Sequence, residues 1–600
     1  MLDPISTYHA KINTINQEIT HSKKMQNHYS YLRVILFLTE IIILICFSSE
    51  TLGGLKTFVH IGIVVPIVIF IYIMRLQANL DHTITSLEKI LGVYQNEYNV
   101  LYGLPNSYDN GQRFESGNHP YSADLDIFGR ESLYAQLNRC MTAKGNDILS
   151  SKLTEVPITI DQILARQDAI EELKDCIEET FFFRASLLHH EAAKFEQIKM
   201  RLGSDIVSHF NFTDYPGIKN LVKAMPYLFC SIVLFSSWLG PAAWYFLFTL
   251  LFINILLTAA FNRKISKIFI GFSNSSKQIS EIYDCIKWIE GRKWISGYIQ
   301  AFSSVNKPVG PSIQVLHRII KNFEVRFNVT LWIVLNAIFL WDLKWSIELA
   351  IWQRSSSGQI VAALDQISDF EELISFSTLR YNHPTWVFPN VVEDFNLTTK
   401  SIGHPLIKPE KRVLNDFQIL GNPTLDIITG SNMAGKSTFL RTLGVNMVLA
   451  YSGSPVCADA MCLSLFSINT YMRIKDSLGD ETSTFKAELN RLEMILKNTM
   501  NSSNTFVLID EMLRGTNSKD KYLGSKVFSE KLIKERTPGL IATHDLQLAD
   551  LSVQYPGKVR NFHFDMSITD GTIRFDYELK EGPCKSFNAA FLLQQIGLSI

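Results

Sequence analysis

Apolar residues along this chain collect into a few unbroken runs set between long periodic stretches. Residues 34–48, VILFLTEIIILICFS, and 57–74, TFVHIGIVVPIVIFIYIM, are joined by the short connection 49–56. A second pair, 225–239 (MPYLFCSIVLFSSWL) and 242–261 (AAWYFLFTLLFINILLTAAF), is separated only by Gly240 and Pro241. A helix needs about 20 apolar residues to cross a bilayer, and these runs approach or reach that length. Two runs paired twice through tight turns predict two transmembrane hairpins; buried core hairpins are the alternative. A fifth apolar stretch, 329–341, is followed by Asp342 and Lys344 and reads as a core helix.

Elsewhere the pattern is periodic. Leu80, Ile84, Leu87, Leu91, Tyr94, Tyr98 and Leu101 alternate steps of four and three, as do Tyr8, Ile12, Ile15 and Ile19. That spacing is a coiled-coil seam and predicts a paired helical stalk continuing the first hairpin. Residues 103–120, rich in Gly, Asn, Ser and Pro, read as a linker. Ile279, Ile282, Ile286 and Ile289 mark one stripe of a helix returning from the second hairpin. In the last third, LDIITG (425–430), TFVLIDE (505–511) and GLIATHD (539–545) read as buried strands, and 436–450 as a helix. The expected fold is therefore multidomain: a stalk with a transmembrane hairpin (1–103), a linker (104–124), a helical core with an inserted hairpin (125–385), and an α/β domain (386–600).

Charge orients the hairpins. Lys23, Lys24, Arg33 and Arg75 flank the first, and Lys219, Lys223, Arg263, Lys264 and Lys267 flank the second, whereas the connections carry only Lys56. By the excess of cations on the cytoplasmic side, both hairpins dip outward from the cytoplasm, predicting a multi-pass protein of the inner membrane. The first thirty residues are polar, without the profile of a cleavable signal. Glu40 interrupts the first run, either as a functional intramembrane carboxylate or as a partner in an interhelical hydrogen bond. A net charge of −1 offers no global basic field for nucleic acid, although a local patch stays open. The eight cysteines are scattered and predict neither a zinc site nor a disulfide framework.

The chemistry gathers at ITGSNMAGKSTF (428–439), where Gly430, Gly435, Lys436 and Ser437 fit a phosphate-binding loop between a strand and a helix. Backbone N–H groups of such a loop face the phosphates of ATP, so Gly430, Ser431, Asn432, Met433, Ala434, Gly435, Lys436, Ser437 and Thr438 are the expected contacts. Lys436 should reach the β- and γ-phosphates, with Ser437 and Asp510 holding Mg²⁺. Glu511 suits a general base for water, since hydrolysis needs a metal clamp and an oriented nucleophile. His544 ends another strand and reads as a γ-phosphate contact; a structural histidine is the alternative.

In order, ITGSNMAGKSTFLR, STF (483–485), DEMLRGTNSKD (510–520) and ATH (542–544) resemble the ATPase motifs of the MutS family. GHPLI (403–407) and VLNDF (413–417) do so upstream, and 137–174 and 363–377 look like the start and end of its helical core. The resemblance spans roughly 125–600. It implies a P-loop ATPase working as a homodimer through its ATPase domains. Ser483 would touch the γ-phosphate bound by the other subunit, Asn432 would orient that phosphate, and Asn415 would pack near the adenine. Asn517 and Asp520 would belong to a loop communicating between the two sites. Ser431 and Ala434 stand where the family usually has Pro and Gly, and Lys521 where it usually has Gly. The resemblance also implies mismatched-DNA binding. Yet a membrane hairpin and stalk stand where a mismatch-reading domain is expected, no connector domain is expected, and the run at 225–261 occupies the place of a DNA clamp. That run contains no Lys or Arg. Three functions follow: a membrane-anchored ATP-driven switch acting with lipid and a further membrane or cytoplasmic partner, a membrane-tethered DNA repair protein, or an ABC-type transporter.

Overall fold

The computed structural model describes residues 3–48, 56–155, 159–188, 192–203, 215–272, 275–303, 308–431, 433–472, 484–502, 504–569 and 572–584. The chain is mostly helical, with α/β structure toward its C-terminus. It divides into two compact units, one comprising residues 1–104, 178–291 and 308–363, the other 105–177, 292–307 and 364–600.

In the first unit, helices Pro4–Ser48 and Lys56–Leu101 pack along each other in opposite senses. The register is tied by Lys23 with Glu88 at 2.8 Å and by Arg33 donating to Gln77 at 2.8 Å. Tyr8, Ile15, Ile19, Ile84 and Tyr94 are buried along the seam, as the four–three spacing requires. Tyr8, Tyr94 and Phe181 form an aromatic cluster, beside which Arg184 pairs with Glu97 at 2.5 Å, both side chains fully buried. The runs 34–48 and 57–74 continue these two helices, and the connection 49–55 and many of their side chains lie outside the described residues. Glu40 is half-buried, and among the described residues its Oε2 has no hydrogen-bond partner.

Helices Pro216–Leu234 and Pro241–Phe272 hold the second apolar pair. Among the described residues, 216–234 and 241–267 are long and apolar enough to cross a membrane, and Trp238, Tyr245, Phe246 and Phe252 stand exposed. The stretch expected as a core helix is not buried. Helix Val329–Phe339 lies against both of these helices, with the Asn254 amide donating to the Ala337 carbonyl at 2.6 Å. Its Val329, Leu331, Ile333 and Val334 remain exposed. It meets helix Trp341–Asn382 at a 78° bend, so the two together count as a third, broken candidate span. An apolar run has the same signature whether it is buried or exposed, so its pattern alone did not reveal this exposure.

Among the described residues, the second unit carries ten strands: β1 (Asn390–Val392), β2 (Asn396–Ile402), β3 (Asn415–Leu420), β4 (Leu425–Thr429), β5 (Ala460–Ser464), β6 (Ser467–Tyr471), β7 (Thr505–Asp510), β8 (Gly539–Thr543), β9 (Val559–Thr569) and β10 (Thr572–Glu581). They form a six-stranded sheet in the order β10-β9-β4-β8-β7-β6 and a four-stranded sheet in the order β1-β5-β2-β3. All neighbours in the larger sheet are parallel except β9 and β10. Every residue of β4, β7 and β8 is buried, as parallel strands covered on both faces should be. Leu492 and Ile495 from helix Thr484–Asn501, and Phe528 and Leu532 from helix Ser518–Lys534, pack with Ile427, Val507 and Ile541 of the strands.

The stretch read as a linker is docked on this unit. The Pro120 carbonyl accepts from the Thr470 N–H at 2.9 Å and from Arg491 at 2.6 Å, and Asp124 accepts from the Thr470 hydroxyl at 2.6 Å. A second tie runs through Arg166, which donates to the Ser452 carbonyl at 2.8 Å and pairs with Glu372 at 2.5 Å. Ser452 caps helix Lys436–Tyr451 and Glu372 lies on helix Trp341–Asn382, so one buried guanidinium joins these two helices within the unit.

Candidate functional site

The parallel order puts the C-terminal ends of β4, β8 and β7 side by side, the edge at which open α/β sheets carry their ligands. After β4 the chain turns through Gly430 at φ 148° and Gly435 at φ 106° into helix Lys436–Tyr451. Only glycine fits at Gly430, where an added Cβ would lie 2.8 Å from the Phe564 carbonyl oxygen. Met433, at φ 74°, is exposed at the loop's apex, Ala434 is buried beneath it, and Thr438 is exposed on the first helical turn. Asn432 lies outside the described residues, as does Ser483.

Lys436 is folded back into the loop. Its Nζ donates to the carbonyls of Gly430 at 2.7 Å and Ser431 at 2.8 Å. Burial lowers its pKa to about 8, although the carboxylates of Asp510 and Glu511 oppose the shift. The Ser431 hydroxyl is buried without a hydrogen-bond partner among the described residues. Ser437 donates its hydroxyl to Asp510 Oδ2 at 2.7 Å, bridging the ends of β4 and β7.

Next along β7, Glu511 takes φ 57°, and its N–H donates to the Ala542 carbonyl of β8 at 2.9 Å. A non-glycine residue held there is strained, a condition that gathers at functional sites. Lys521 lies 2.5 Å from Glu511 Oε1, while Arg514 at 3.6 Å and His544 at 3.9 Å face Oε2. Burial pushes the Glu511 carboxyl up, but Lys521, His544 and Arg514 together reverse this and leave it below its usual range. Burial and the Lys436 charge lower the His544 pKa, so the ring is chiefly neutral near pH 7. Arg514 also donates through its backbone N–H to Glu488 at 3.3 Å, on the helix that follows Ser483. Asn517 caps helix Ser518–Lys534 by accepting from the Asp520 N–H at 2.9 Å, and its amide donates to the Asp520 carboxylate at 2.8 Å.

Asn415 stands across the loop, on β3. It donates to the Tyr577 carbonyl at 3.1 Å and accepts from the Leu579 N–H at 2.7 Å, holding the irregularity between Phe575 and Leu579 in β10. Tyr577 itself takes φ 56°, and a Cβ on Gly435 would lie 3.0 Å from its half-exposed ring. The sequence reading overlooked Tyr577, and it noted Lys521 without assigning it to Glu511. An isolated tyrosine in a strand gives no signal of its own; only the departure from Gly marked Lys521.

These residues fit ATP with Mg²⁺. A left-handed glycine cradle opens onto a helix N-terminus, a lysine sits on two carbonyls it can exchange for phosphate oxygens, and a hydroxyl and a carboxylate lie 2.7 Å apart at the edge of the loop. A carboxylate, a neutral imidazole and that lysine beside them suit attack by water on a terminal phosphate. Among the described residues, no group of three or more His, Cys, Asp or Glu side chains forms another metal site.

A family model described as MutS domain V matches residues 426–592. The DNA mismatch repair protein MutS of Aquifex pyrophilus is 36% identical over 205 residues, covering 33% of this chain and 24% of that protein. The proteins of the same name from Thermotoga maritima and Persephonella marina are each 34% identical, over 197 and 201 residues, covering 32% and 33% of this chain and 25% and 23% of theirs. The chain thus matches about a quarter of the length of these relatives.

Proposed function

We propose that this chain, whose residues 426–592 match the family model described as MutS domain V, is an ATP hydrolase anchored in the inner membrane and switching conformation as a homodimer. One observation carries the reading: Lys436, Ser437, Asp510, Glu511 and His544 converge at the ends of three adjacent parallel strands. Lys436 leaves its two loop carbonyls to pair with the β- and γ-phosphates, and the loop N–H groups hold the same oxygens. Ser437 and Asp510 are the residues that would hold Mg²⁺, which when bound neutralises charge on the phosphates. Glu511 accepts the proton of the attacking water as the new P–O bond forms and the bond to ADP breaks. His544 donates a hydrogen bond to the γ-phosphate. By the family resemblance, Asn432 and the other subunit's Ser483, both outside the described residues, would add contacts to the γ-phosphate.

The apolar helices 216–234 and 241–267 support membrane anchoring, because their exposed aromatic and aliphatic side chains would otherwise face water. ATP-driven closure of two ATPase heads would reach these hairpins through the helical core. A second reading, a membrane-tethered DNA repair protein, draws on the name of the relatives. Against it, a DNA clamp needs cations and polar groups facing phosphates, and residues 225–261 contain no Lys or Arg.

Two measurements on the detergent-solubilised full chain test this. ATP turnover should fall ~10²–10⁴-fold in Glu511→Gln, which removes the base and keeps shape and metal partner; near-parental turnover would reject Glu511 as base. Duplex binding near physiological salt, with and without ATP, should be weak and indifferent to a mismatch. Submicromolar affinity with mismatch preference would restore the repair reading.

A further inference from the structure

Lys521 occupies an unfavourable position unless it has a partner. It lies in the first turn of helix Ser518–Lys534, where the positive end of the helix dipole disfavours a cation. Its partner is Glu511 Oε1 at 2.5 Å, and both side chains are about three-quarters buried, at 26% and 22% exposure. The second carboxylate oxygen faces only longer contacts, Arg514 at 3.6 Å and His544 at 3.9 Å. The tightest interaction of the proposed base is therefore with a lysine, which occupies one of its two carboxylate oxygens.

The helix bearing Lys521 starts at the Asn517–Asp520 cap, and the loop before it begins at Glu511 itself. Movement of residues 512–517 thus changes the Lys521–Glu511 separation directly. Arg514 in that loop is bonded to Glu488, on the helix that follows Ser483. We propose that Lys521 is a positioning residue that holds Glu511 in a resting ion pair, and that hydrolysis waits for rearrangement of the 512–517 loop to open it. This rests on Glu511 being the base.

Lys521→Gln, Lys521→Arg, Glu511→Gln and the Lys521→Gln/Glu511→Gln double variant of the full chain are compared in two ways. In the first, kcat and KM for ATP are separated. Lys521→Gln should raise kcat about two- to fivefold, the range expected for one partly exposed ion pair, with little change in KM, and Lys521→Arg should return kcat toward the parental value. In the second, thermal unfolding is followed without nucleotide: the two Gln substitutions should be non-additive, because either alone already breaks the pair. An unchanged or lower kcat in Lys521→Gln, or additive unfolding shifts, overturns the inference while the reading of Glu511 stands. Turnover that survives Glu511→Gln overturns both.

Discussion

Side chains around the phosphate loop divide into those that hold charge and those that shape the space for the base. Lys436 is held at a pKa of about 8 by burial, so the cation that would bind phosphate is stored on two carbonyls rather than in water. Phosphate would supply the counter-charge that burial withholds. Tyr577 does the shaping. Its ring lies beside Gly435, on a backbone pinned by Asn415, and in the proposed ATP complex it would offer a flat face for adenine. Stacking of a base on an aromatic ring is worth about 1–3 kcal/mol. Tyr577→Ala should therefore raise KM for ATP roughly 5- to 150-fold with kcat little changed. Steady-state kinetics separates the two, and an unaltered KM would remove Tyr577 from the adenine site.

At the level of elements, the helix after the phosphate loop ends on Ser452, whose carbonyl is held by Arg166, and Arg166 is paired with Glu372. Tyr298 adds a hydroxyl 3.1 Å from the same guanidinium. This buried cation has every reason to stay, because leaving Glu372 alone in the interior strands a charge. Arg166→Ala should cost ~3–5 kcal/mol in denaturant unfolding, and Arg166→Met with Glu372→Leu clearly less. Equal losses in both would show that packing around Arg166, rather than charge, sets the cost. The seam between helices Pro4–Ser48 and Lys56–Leu101 is different in kind. Lys23–Glu88 is exposed and contributes little, so the stalk rests on buried Tyr8, Ile15, Ile19, Ile84 and Tyr94.

For the whole molecule, the proposed topology puts both hairpin tips outside and the ATPase inside. A cysteine at residue 54, which lies outside the described residues, should react with an impermeant reagent in intact cells, and one at residue 408 should not. The reverse pattern inverts the orientation. Dimer function predicts complementation: Ser483→Ala and Lys436→Ala should each be inactive alone, and mixing them should restore some turnover through an interface with intact Lys436 facing intact Ser483. Mixed dimers that form without recovering activity would argue that Ser483 acts within its own subunit.

How much of this was legible in sequence depends on how far apart the interacting residues lie. The phosphate loop, the acidic end of β7 and the stalk seam were readable because each is a contiguous stretch or a fixed period, and local backbone geometry follows from it. Tyr577 beside Gly435, Lys521 on Glu511, Arg166 between Ser452 and Glu372, and Pro120 on Thr470 were not. Each depends on strand order or on a helix's rotation about its axis, neither of which a one-dimensional pattern encodes. Helix Val329–Phe339 marks the same limit for apolar runs, since hydrophobicity says that a surface avoids water but not which surface covers it. Composition and period determined the kinds of element and the ATPase motif; tertiary packing alone decided which distant side chains meet, because those contacts form only when strands and helices have already chosen their neighbours.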